Sequence, residues 1–133
     1  EVENTAAGTL ANREANLILL ILENLLHNAI QATPFAQTVQ VRFASLETEI
    51  QCEIRDEGPG IPDHLRDRLF TPYRSTKPGG HGIGLAISLE LARHLGARLF
   101  LKETSPQGAA FVLALPFAVF GDLQPAEAFA ATR

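Results

Sequence analysis

Glu49-Ile50-Gln51-Cys52-Glu53-Ile54-Arg55-Asp56-Glu57-Gly58-Pro59-Gly60 alternates apolar with polar side chains and then breaks into a loop of glycine and proline. Alternation at a period of two marks a strand with one face on a core, and the glycine-proline run marks where it stops. Working back, Thr38 to Leu46 sets Val39, Val41 and Phe43 against Gln40 and Arg42, which predicts a second strand. Before it, residues 13–32 carry Leu, Ile and Ala at helical spacing, and Pro34, with no amide proton to donate, forbids continuation. Going forward, Pro62 and Asp63 can open a short helix with Leu65 and Leu69 four apart, and the Gly- and Pro-rich residues 71–82 read as a mobile loop. Gly82 to Leu95 resumes the helical period through Ile83, Ile87, Leu91 and Leu95, with Gly96 placed to stop it. Ala97 to Thr104 and Ala109 to Pro116 are strand-like runs joined by Ser105-Pro106-Gln107-Gly108, a hairpin.

Strand pairs separated by helices predict an α+β fold, a two-layer α/β sandwich whose mixed, mostly antiparallel sheet carries helices on one face. The domain is expected over residues 13–116, with 1–12 as a lead-in and 117–133, which lack a clear period, as a tail. A length of 133 residues suits one domain, and 46% hydrophobic with 20% charged residues is a globular balance. The single Cys52 excludes a disulfide framework. With 11 basic against 15 acidic side chains and a net charge of -4, no nucleic-acid partner is expected. The longest apolar run, Leu17 to Leu22, is far short of the ~20 residues that cross a bilayer, so no membrane contact by this domain is expected.

Three features carry chemistry. Asn24, Asn28 and Gln31 project from one face of the first helix; such amides can tie a helix to its neighbours or, as neutral oxygen donors, ligate Mg²⁺. Asp56 falls in phase with Ile50, Cys52 and Ile54 and so points inward, which is costly for a carboxylate without a donor. It can cap its own turn, or accept from an exocyclic amine such as adenine's where Gly58 and Gly60 leave room for something flat. Finally Ser75-Thr76-Lys77-Pro78-Gly79-Gly80-His81-Gly82-Ile83-Gly84-Leu85 runs a Gly-rich loop into a helix start, where free amides, the helix dipole and Lys77 favour a polyphosphate. A flexible hinge is the plainer reading of those glycines.

In this order and context the features resemble the catalytic ATP-binding domain of sensor histidine kinases, in the superfamily with gyrase, Hsp90 and MutL. The resemblance covers roughly residues 13–116. The N box is Glu23-Asn24-Leu25-Leu26-His27-Asn28-Ala29-Ile30-Gln31-Ala32 and the G1 box Asp56-Glu57-Gly58-Pro59-Gly60-Ile61-Pro62. The F box is Leu69-Phe70-Thr71-Pro72-Tyr73, the G2 box Gly80-His81-Gly82-Ile83-Gly84-Leu85-Ala86-Ile87, and Gly108 to Pro116 is similar to the family's closing strand.

The resemblance implies a Bergerat-type fold with ATP and Mg²⁺ as cofactors. Asp56 would read the adenine amine beside Gly58, Gly60 and Ile61; Asn28 would ligate Mg²⁺, with Asn24 supporting phosphates or the metal's water. Asn24, Asn28 and Lys77 would carry the phosphoryl chemistry. Thr76, Gly80, His81, Gly82, Ile83, Gly84 and Leu85 would line the phosphate end, with Tyr73 at the base of an ATP lid over 71–82. Gln31 stands where many members place a Lys, and Ala110 where many carry a hydroxyl that backs the adenine-reading carboxylate. The ATPase branch places a Glu four residues before the metal-binding Asn; here that position is Asn24, while Glu23 is expected to pair with His27 on the outer face. Transfer to a protein side chain is therefore expected, and none of His27, His64, His81 and His94 has the setting of the family's acceptor. The implied partners are the histidine-bearing dimerisation domain of the same kinase and, indirectly, a response regulator. The implied setting is the cytoplasmic part of a homodimer, with membrane anchoring left to the rest of the full-length protein. Three alternatives stand: a serine kinase of the same fold; a non-catalytic nucleotide-binding interaction module, supported by Ala110, Gln31 and the Phe117, Phe120 and Phe129 tail; and a metabolic ATPase.

Overall fold

Ile18, Ile21, Leu25 and Ala29 recur every three or four residues, so the helix that carries them, α1 (Asn12–Ala32), turns one buried stripe to the core. In the computed structural model, which describes residues 2–4, 12–72 and 84–120, that stripe lies on a sheet with strand order β1-β2-β3-β5-β4. The strands are β1 (Val2–Asn4), β2 (Gln40–Ser45), β3 (Glu49–Arg55), β4 (Arg98–Ser105) and β5 (Gly108–Pro116). All neighbours pair antiparallel except β1 with β2. A short α2 (Asp63–Arg66) and a longer α3 (Gly84–His94) complete the helices. The mixed, mostly antiparallel two-layer sandwich is the architecture that the patterning predicts.

Cys52, Ile54, Leu99, Leu113 and Leu115 form the sheet's share of the core, facing Ile18, Ile21, Leu25 and Ala29 of α1 and Ala92 of α3. Burial pushes the Cys52 thiol up to about 12, so it is a packing group and not a nucleophile. Both helix ends follow from sequence. Thr33 donates its amide and its hydroxyl to the Ala29 carbonyl just before Pro34. Gly96, at φ +72°, donates to Arg93 O while Ala97 donates to Ala92 O, a Schellman stop that only the left-handed conformation closes.

Two flanking segments join the folded unit that patterning set at 13–116. Val2–Asn4 adds the parallel edge strand, and a 3-10 turn at Phe117–Phe120 buries Phe117 beside Ile50 with Phe120 packed against them. Phe117 and Phe120 thus pack on their own domain, while Phe129 lies outside the described residues.

Among the described residues no helix packs on the sheet's other face, yet Ala110, Val112 and Ala114 of β5 are almost wholly buried there. Long charged side chains of the flanking strands cover them: Arg98 bridges to Glu49 at 2.9 Å, Lys102 to Glu53 at 2.6 Å, and Arg55 to both Glu53 and Glu103. Arg98 also stacks on Phe100, 5.4 Å from the ring centre. Burial alone would raise the carboxyls of Glu49 and Glu53, but hydrogen bonds and charge from Arg98 and Gln51, and from Lys102 and Arg55, outweigh it and hold both below 4.5. Carboxyls lowered in the fold stabilise it above their ordinary value and lose that contribution as pH falls through the lowered one. The urea midpoint is therefore expected to decline below about pH 4.5, and Glu53→Gln to flatten that decline; an unchanged pH profile in the variant would show the ladder to be idle.

Candidate functional site

Alternation along β3 delivers Asp56 to the core side of its strand end, where it is 7% exposed. Its Oδ1 accepts from the amides of Gly58 at 2.9 Å and Ala109 at 3.2 Å, and its own amide donates to Ala109 O at 2.9 Å. Both side-chain bonds fall on Oδ1, so Oδ2 carries neither. The turn-capping reading of Asp56 is thus met through Oδ1 alone.

The hydroxyl expected at Ala110 is one register position from where it would act. Ala110 pairs with Arg55 and Glu103 on the outer face, fully buried under the ion-pair ladder. Ala109, on the inner face with Asp56, is the residue that meets the carboxylate, and it does so through its backbone amide. The missing hydroxyl at Ala110 therefore removes nothing from Asp56.

The glycines of the loop also act differently from the expectation that they leave space for a flat ligand. A Cβ on Gly58 would lie 2.6 Å from Ala32 O, and one on Gly60, whose φ is +78°, would lie 2.0 Å from Ser105 O. That space is filled by protein backbone, so the glycines let the loop wedge between the end of α1 and the β4–β5 hairpin. Glu57 adds two ties: its amide donates to Thr33 Oγ1 at 3.3 Å, and its carboxylate accepts from the Thr38 amide at 2.6 Å. Ile61 donates its amide to Thr104 Oγ1 at 2.8 Å. Thr33, Ala109 and Thr104 were not among the residues the sequence singled out, since no spacing rule links them to Asp56.

Along α1 the amides divide. Asn24 Nδ2 donates to Ser88 Oγ at 3.1 Å and to Gly84 O at 3.4 Å, binding α1 to the first turns of α3. Gly84 lies so near that a Cβ there would be 3.7 Å from Asn24 Oδ1. Asn28 is partly buried, and its side chain makes no hydrogen bond to another described residue. Gln31 is exposed at the last turn, and Leu85 packs against the core beneath α3. The expected Glu23–His27 pair does not form, although both side chains are exposed. Because Ser88 is fully buried, Asn24→Ala is expected to cost about 1–3 kcal/mol of stability by stranding its hydroxyl, measurable as a lowered urea midpoint.

Leu69 is buried and Phe70 meets Phe111 edge-on, ring centres 6.3 Å apart, so the chain is anchored where it leaves for residues 71–82. Tyr73, Thr76, Lys77, Gly80, His81, Gly82 and Ile83 lie outside the described residues. Among those described, α1 is the shared wall: Asn24 reaches the start of α3 and Ala32 abuts the Asp56 loop.

An inward carboxylate at the end of β3, an amide-bearing α1 and the start of α3 beside it make up the candidate site of this two-layer sandwich. The profile of the histidine kinase-, DNA gyrase B- and HSP90-like ATPases matches residues 14–119, and the chain belongs to that family. Within it the similarity runs to sensor kinases. The sensor protein CitS of Halalkalibacterium halodurans is 35% identical over 112 residues, covering 80% of this chain and 21% of that protein. The C4-dicarboxylate transport sensor protein DctB of Rhizobium meliloti is 37% identical, covering 71% of this chain and 16% of that protein. The chain thus spans a fifth or less of DctB and 21% of CitS. Among solved structures, the catalytic domain of the histidine kinase ThkA superposes with a TM-score of 0.69 at 28% identity, covering 80% of this chain and 68% of that one. Full-length ShkA in complex with AMPPNP gives 0.71 at 27% identity, covering 86% of this chain and 24% of that one.

Proposed function

We propose that this domain binds Mg²⁺-ATP and transfers the γ-phosphoryl group to a histidine on a separate dimerisation domain, as the catalytic part of a two-component sensor kinase. The observation that carries the reading is the division of Asp56: Oδ1 is spent on holding the loop, while Oδ2 takes neither of those bonds. A buried carboxylate held rigid at one oxygen is a pre-organised acceptor for an amine, and adenine presents one.

Among the described residues no group of three His, Cys, Asp or Glu side chains is placed to hold a metal. Neutral amide oxygens can ligate Mg²⁺ beside phosphate oxygens, and Asn28, whose side chain makes no hydrogen bond to another described residue, is the first choice. When bound, Mg²⁺ supplies charge neutralisation at the phosphates. Asn24 would support that end through its position beside Gly84, and Lys77 and the glycine-rich residues 80–85 would supply charge and backbone amides to the phosphates, as the resemblance implies.

Nothing on α1 activates water. Asn24 occupies the position from which a base would act, its amide takes up no proton, and its nitrogen is engaged by Ser88 and Gly84. Positioning and electrostatic stabilisation then remain as the domain's contribution, with acid-base chemistry left to the acceptor. His27, His64 and His94 are exposed, and none has the setting of the family's acceptor histidine, which favours an acceptor on another domain. Incubation with γ-labelled ATP and the dimerisation domain of the same full-length protein is expected to yield acid-labile phosphohistidine on that partner and none on this chain alone. Label on this chain alone, or steady phosphate release with no labelled partner, would contradict the proposal. A response regulator would receive the group in a later step, from the dimerisation domain.

A further inference from the structure

The geometry points to Thr104 as a positioning residue for the adenine end of the site, delivered there by a β-bulge. The inference rests on the proposed nucleotide reading and adds a residue to it. Along β4, Leu99 and Leu101 face the core opposite Leu113 and Phe111. Regular alternation would continue to Glu103 and turn Thr104 to the outer face. The ladder instead shifts register between Leu101 and Glu103, leaving Lys102 as the extra residue, so Glu103 pairs with Ala110 outside and Thr104 with Ala109 inside. That single insertion puts the Thr104 hydroxyl on Asp56's side of the sheet.

There its Oγ1 accepts the Ile61 amide at 2.8 Å and lies 2.9 Å from where a Cβ on Gly60 would sit. Thr33 Oγ1 holds the other end of the same loop at the Glu57 amide. Residues 57–61 are thus stretched between two threonine hydroxyls, with Asp56 at their root and Gly58 N on its Oδ1. Release of the Ile61 end leaves the loop free to rotate about Gly60 and lets the Asp56 carboxylate depart from the orientation in which Oδ2 meets an amine. Thr104 touches no ligand in this role; it acts through the loop.

Four variants of the domain, Thr104→Val, Thr104→Ser, Asp56→Asn and the Asp56→Asn/Thr104→Val double, titrated calorimetrically with ATP and ADP, test this. Thr104→Val, isosteric but without an acceptor, is expected to weaken both nucleotides about five- to tenfold, while Thr104→Ser restores wild-type affinity. In an Asp56→Asn background the Thr104→Val penalty should shrink to less than twofold, because the carboxylate it orients is already gone. Independently of binding, the Ile61 amide is expected to exchange slowly in the wild type and in Thr104→Ser and fast in Thr104→Val, which keeps the idea testable should affinity be lost through misfolding. Wild-type affinity in a folded Thr104→Val, or a full penalty retained beside Asp56→Asn, would overturn the positioning role alone. A wild-type domain that binds neither nucleotide would overturn the nucleotide reading itself and this role with it.

Discussion

Replacing Asp56 by Asn is expected to weaken ATP binding roughly ten- to a hundredfold while leaving the urea midpoint close to that of the wild type. The asymmetry of the carboxylate gives the reason. Asparagine keeps an oxygen where Oδ1 accepts from Gly58 and Ala109, so the loop stays capped. It replaces Oδ2 by an amide that donates, so an adenine amine would meet a donor where it needs an acceptor, and the charge that strengthens the bond is lost. Asp56→Ala, by contrast, strands two buried amides and is expected to lose stability as well as binding. Calorimetry on the two variants, with urea denaturation alongside, separates the effects. Unchanged affinity in Asp56→Asn would mean that the amine-reading group lies elsewhere.

The second large effect is expected on the fold. Gly60→Ala should cost roughly 2–5 kcal/mol, because a Cβ at φ +78° is strained by itself and would also stand 2.0 Å from Ser105 O and 2.9 Å from Thr104 Oγ1. Relief requires the loop to leave the hairpin, which breaks the Ile61–Thr104 bond and unseats the chain below Asp56. Gly96 is the control. It has a similar φ of +72° but nothing within 4 Å, so Gly96→Ala carries only the left-handed cost of about 1–2 kcal/mol. Equal losses in the two variants, measured by urea denaturation, would show that the hairpin yields freely and that the loop is not wedged.

Those contrasts mark where the sequence is readable. The stripe Ile18, Ile21, Leu25, Ala29, the alternation of β3 and the stop at Gly96 are local patterns, and local patterns survive folding unchanged. Asp56's inward phase is legible for the same reason: the strand is regular up to it. What escapes is whatever depends on register between strands. The bulge at Lys102 has no signature in composition, so the face that Thr104 takes is not legible from the strand-like run it ends, and the pairing that places Ala109 rather than Ala110 beside Asp56 is fixed only once β3 and β5 align. Val2–Asn4 is too short for any period to appear and gains its identity only by pairing with β2. The glycines of the loop are visible as glycines, but whether they make room for a ligand or for backbone depends on Ala32 and Ser105, which are remote in sequence.

The nucleotide site is tested most directly by calorimetric titration of the wild-type domain with ATP and with ADP, each with and without Mg²⁺. Micromolar binding is predicted, tighter for ATP when Mg²⁺ is present, with the Mg²⁺ effect lost in Asn28→Ala and the affinity lost in Asp56→Asn. Absence of binding at millimolar nucleotide, or binding indifferent to both Asp56 and Asn28, would contradict it.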